Sequence, residues 1–100
     1  MTLTSDDALR CEAMIEAFFD APFTIQKDTA STYLALFVLL GGDPAEIIKR
    51  LAHLDDRYLI SANDAFIDMK NKLNRMNAEM PDTIAGAVAN MEDRIRARRR

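Results

Sequence analysis

Residues 59–80 read "LISANDAFIDMKNKLNRMNAEM". Leu59, Ala62, Phe66, Met69, Leu73, Met76 and Met80 recur at alternating intervals of three and four, with polar residues between them. That alternation lays a narrow apolar seam along one side of an α-helix, whereas a strand would alternate every second residue. The spacing predicts one long helix over about 56–79. Pro81 stops it, and Asp82 can cap a successor. In the successor Ile84, Val88, Met91 and Ile95 form a second thin stripe at helical spacing. The join at 79–82 is short, so the two helices are expected to fold back as a helical hairpin. Two narrow seams of unequal length cover each other only in part, and a second copy is the simplest cover for the remainder. Leu59, Phe66, Met69, Leu73, Met76, Met80, Ile84, Val88, Met91 and Ile95 are the expected interface residues.

Upstream, three shorter helices are legible. The first begins after Thr4 or Ser5, with Asp6 and Asp7 in the opening turn, where the helix dipole favours negative charge. Ala8, Cys11, Met14, Ile15 and Phe18 form its apolar face, and Pro22 ends it, with Phe19 and Phe23 at the corner. "YLALFVLL" (33–40) is apolar on every side, as in an element covered all round. Gly41-Gly42 follows as a C-cap would require, which favours a helix over about 28–40 against a buried strand. "GGDPAEIIKRLAHL" (41–54) places Asp43 as N-cap, Pro44 at the first helical position and Glu46 in a capping-box position. Ile47, Ile48, Leu51 and Leu54 then share one face. The expectation is a single all-α domain, residues 1–100, of about five helices.

The bulk numbers agree with that class. Hydrophobic residues make up 49 % of the 100 and charged residues 29 %, with three Gly and three Pro. This is a globular composition. No apolar run approaches the ~20 residues that span a bilayer, so no membrane role is expected. "MTLTSDDALR" lacks the basic start and apolar stretch of a secretory signal. One cysteine, Cys11, forms no internal disulfide, and the cytoplasm is the expected location. All 16 acidic groups and eight of the 13 basic ones lie in residues 1–93, a local balance of −8. The other five are Arg94, Arg96, Arg98, Arg99 and Arg100.

None of the candidate reactive groups forms a chemical constellation. His53 is the only histidine, and acid–base work would require an orienting partner and a nucleophile or water. Asp64 and Asp68 share a helix face, but no further ligand stands at metal spacing, and Lys72 lies four residues beyond Asp68. Both acids are expected on a solvated face. Cys11 on an apolar face, without a flanking Lys or His, behaves as a small hydrophobe. The six Met are core or interface filler, and there is no phosphate-binding Gly loop. No cofactor, no metal, no small-molecule substrate and no enzymatic activity are expected.

The arginine-rich end has two readings. Asp93 and Glu92 pair with Arg96 at helical spacing, and cations complement a helix C-terminus. Alternatively the five arginines contact phosphates, which makes the chain a nucleic-acid-binding transcriptional regulator. The acidic body and the absence of nearby aromatics for stacking speak against it. The favoured expectation is a non-enzymatic protein–protein interaction module, a homodimer. It would serve as an adaptor, chaperone or inhibitor on a larger complex, for example an inhibitor of a host system carried by a phage or mobile element.

Overall fold

The computed structural model describes residues 5–20 and 25–98. Among these the fold is all-α: α1 (Ser5–Asp20), α2 (Lys27–Leu39), α3 (Ala45–Ala52), a 3-10 turn (Asp56–Tyr58), α4 (Leu59–Arg75) and α5 (Asp82–Arg98). Thr4, Pro22 and Phe23, placed at the ends of α1 by their sequence, lie outside the described residues.

The local rules account for most helix ends. At the end of α2 the Gly42 N–H bonds the Phe37 carbonyl and the Gly41 N–H bonds that of Val38, both at 3.0 Å. This double return needs a left-handed residue, and Gly41 supplies it at φ 77°. Gly42 has a separate constraint: a Cβ there would stand 2.5 Å from the Phe37 ring. Ahead of α3, Asp43 Oδ1 accepts the Ala45 N–H at 3.0 Å, the bond expected of an N-cap.

Helix α4 is shorter than its apolar period suggested. Its first turn is the 3-10 segment, where the Asp55 carboxylate accepts the Arg57 N–H at 2.9 Å. At the other end it stops at Arg75, not near 79. Asn77 adopts φ 56°, and the Ala78 N–H returns to the Leu73 carbonyl at 2.8 Å. Asn tolerates the left-handed region better than most residues, so the helix closes there and Pro81 is not needed to stop it. Helix α5 starts with Asp82 inside its first turn, and the Pro81 carbonyl accepts the Ala85 N–H.

Helix α4 lies chiefly along α2, with a smaller contact on α5; α1 covers α2, and α3 packs on α5. The core draws on all five helices. Leu34, Ile47, Leu59, Phe66, Met69, Leu73, Ile84 and Met91 are all less than 2 % exposed. Each such side chain contributes about 1.5–3 kcal/mol by leaving water. Cys11, Ile15 and Phe18 of α1 are buried, as their spacing implied, and Met14 is half-buried. The apolar run of α2 is covered except at Leu39.

Candidate interaction surface

Most of the expected interface seam is already occupied by the chain's own helices. Leu59, Phe66, Met69, Leu73, Ile84, Val88 and Met91 belong to one buried cluster, and Met80 and Ile95 pack partly buried against it. Met76 stands apart at 50 % exposure, because α4 has ended before it. What remains open is the adjacent position of the same heptad. Ile60 and Ile67, each one residue after a seam position, are 55 % and 43 % exposed. They are seven residues apart, close to two helical turns, and so share a side of α4. The sequence offered this signal, since an apolar residue doubles the seam at 59–60 and again at 66–67.

The neighbouring face of α5 completes the surface. Between α4 and α5 runs an open groove of about 770 Å³, lined by Phe66, Ile67, Met80, Ala85, Val88 and Ala89 along its apolar part. Its charged rim is Lys70 on α4, Glu92 on α5 and Glu79 on the connection. Toward the start of α4, Ile60 shares a smaller hollow with Ile95 and Arg98. Ala85 and Ala89 are small and exposed, so an approaching helix meets little steric resistance there.

The polar groups nominated as chemistry are engaged in structure. Asp68 is not on a wet face: its side chain and that of Lys72 are 24 % and 17 % exposed, and their charged groups are 2.8 Å apart. Lys72 also donates to Asp28 Oδ1 at 2.6 Å and to Ser31 Oγ at 2.6 Å. The fully buried Ser31 hydroxyl faces Asp68 Oδ2 at 2.5 Å. The cluster fastens α2 to α4, and its polar atoms are spent on each other. Asp64, by contrast, is exposed as expected. Hydrogen bonds from Lys72 and then Ser31 hold the Asp68 carboxyl below its ordinary value. Burial works against the Lys72 charge, but its bonds to Asp28 and Asp68 outweigh that and raise its pKa.

The sign of the Asp68 effect follows. A carboxyl whose folded pKa is depressed adds stability above its unfolded value of about 3.9, and that stability is lost as pH falls through the folded value. The melting temperature is therefore expected to drop between about pH 5 and pH 2, and to drop less in Asp68→Asn. Thermal unfolding followed by circular dichroism over that range measures it; equal slopes in both proteins would refute it.

Of the C-terminal arginines, the described ones are likewise tied to their own chain. Arg94 donates to the carbonyls of Leu51 (3.2 Å) and Leu54 (3.0 Å) and to Asp56 Oδ1 (2.6 Å). Arg98 donates to the Asp56 carbonyl at 2.6 Å, and Arg96 pairs with Asp93 one turn back. Arg99 and Arg100 lie outside the described residues. His53 is exposed at the end of α3. Burial, and after it the Asp7 charge, push the Cys11 thiol up, which disfavours the nucleophilic thiolate. Among the described residues no group of His, Cys, Asp and Glu could hold a metal ion, and no helix is long and apolar enough to cross a membrane.

No family model matches the chain, and neither a curated protein nor a solved structure matches it.

Proposed function

We propose that this chain is a non-enzymatic protein–protein interaction module of the cytoplasm. It self-associates through the α4–α5 face and serves as an adaptor, chaperone or inhibitor on a larger complex. One observation carries the reading. Ile67 stands exposed in the α4–α5 groove with Ile60 two turns before it on α4, two of the five large apolar side chains exposed among the described residues, the others being Leu9, Leu39 and Met76. Together with the apolar part of the groove, Ile60 and Ile67 form an apolar surface on one side of α4 and α5, and a helix pair laid on a helix pair is the simplest cover for it. The polar groups support the same reading, because Ser31, Asp68 and Lys72 bond one another and Arg94 bonds Asp56 and the Leu51 and Leu54 carbonyls, so these side chains are engaged within the chain.

The test is the surface variant Ile67→Glu. Its melting temperature is expected to stay within a few degrees of the parent's, since the residue is half exposed, while its self-association is abolished. Sedimentation velocity over a concentration series reads the second quantity. A parent chain that sediments as an 11.3 kDa monomer at every concentration would remove the proposal.

A further inference from the structure

We infer that the α4–α5 face binds a second copy of the chain across a two-fold axis, with Lys70 of each copy paired to Glu92 of the other. This rests on the self-association proposed above and specifies its geometry.

The groove has walls of opposite sign. Lys70 stands on the α4 side, Glu92 on the α5 side and Glu79 on the connection between them, all lining the same hollow as the exposed Ile67, so the rim carries one base and two acids. Neither Lys70 nor Glu92 has an ion pair or side-chain hydrogen bond with another described residue, whereas Lys72, Arg94 and Arg96 all do. An apolar strip with a charged border has the layout of an interface core and its polar rim. In a two-fold contact residue i meets j′ and j meets i′, so a surface with a basic wall and an acidic wall is its own complement. Turning one copy about an axis through the groove lays α4 over the other copy's α5. That places Ile67 against the low Ala85 and Ala89 surface, and it forms the Lys70–Glu92 pair twice. A foreign partner would have to present the same alternation of charge around the same apolar strip; a second copy does so by construction. The pairs fix orientation more than affinity, as rim charges do.

Charge reversal tests this, because a pair formed between copies responds to mixing in a way that a pair inside one chain does not. Lys70→Glu alone and Glu92→Lys alone each place like charges opposite one another at two symmetric positions. Each is expected to raise the dimer dissociation constant about tenfold, and the effect should shrink at high salt. Mixing the two single variants in equal amounts makes a heterodimer in which both pairs are restored, and its dissociation constant is expected within about threefold of the parent's. A pair formed inside one chain would be restored only in the double variant and not by mixing, which separates the two cases. Sedimentation equilibrium of each protein and of the mixture supplies the numbers, with thermal melts confirming that the exposed substitutions leave the fold intact. If the parent dimerises but the single variants match it, or mixing gives no recovery, the Lys70–Glu92 geometry is wrong and self-association stands. If the parent is monomeric throughout, self-association itself is wrong.

Discussion

Phe66→Ala is expected to lower the unfolding free energy by about 3–5 kcal/mol, the cost of emptying a fully enclosed aromatic site. Phe66 is 0 % exposed and belongs to the cluster that joins α4 to its neighbours. The ring's loss removes its own transfer free energy, and helices held by their other contacts collapse only partly into the gap. A domain of this size holds about 5–15 kcal/mol in all, so the substitution takes a large share and leaves a partly unfolded population near body temperature. Urea unfolding at equilibrium measures it, with the midpoint lowered and the slope unchanged. Ile67→Ala, the next residue along the chain, is the control. It stands 43 % exposed and is expected to cost less than about 1 kcal/mol. Equal costs at the two positions would mean that α4 is rotated from its described orientation.

Arg94→Met is expected to cost about 2 kcal/mol, the second large loss. The guanidinium reaches the carbonyls of Leu51 in the last turn of α3 and Leu54 just beyond it, and the Asp56 carboxylate ahead of α4. One side chain thus ties α5 to α3 and to the 3-10 turn. Hydrogen bonds to a charged group contribute about 1.5–3 kcal/mol each when well enclosed. Arg94's side chain is 36 % exposed and the Asp56 carboxylate 53 %, so solvent screens the ion pair and the sum is discounted accordingly. Methionine keeps much of the stem's packing, so the loss reports the bonds. Arg96→Met makes the comparison: its only described partner is Asp93 on the same exposed helix face, and a change within about 0.5 kcal/mol is expected. Two arginines two positions apart would then differ severalfold in thermal stability. A similar loss at both would show that Arg94 is not a structural tie.

The contrast between these arginines marks what the sequence could and could not reveal. Helix identity was legible because it is local: the period of 59–73, the Gly41-Gly42 stop and the Asp43-Pro44 start each depend on neighbours within a turn. The end of α4 was misjudged for a physical reason. Asn77 closes the helix by adopting a left-handed conformation, and Asn gives a much weaker signal for that than Gly or Pro. The polar ties were not legible at all. Arg94 finds partners 38 to 43 residues away, and Ser31 meets Asp68 across 37 residues. No spacing rule reaches across such separations, so Asp68 read as a solvated partner of Lys72 when both are turned toward α2. The candidate surface fell between these cases. The heptad seam is largely consumed by α4's contacts with α2 and α5. The exposed residues are its immediate neighbours Ile60 and Ile67, and only the packing of five helices decides which of two adjacent stripes stays dry.

The covering of one α4–α5 face by another is open to direct observation. Isotope-filtered nuclear Overhauser spectra of a mixed sample, half the chains carbon-13 labelled and half unlabelled, report only contacts between copies. Cross-peaks are expected from the Ile67 methyls of labelled chains to the Ala85 and Ala89 methyls of unlabelled ones. A dimeric sample whose intermolecular cross-peaks arise elsewhere, for instance at Leu9 or Leu39, or a sample with none at all, would place the contact off this face and end the proposal.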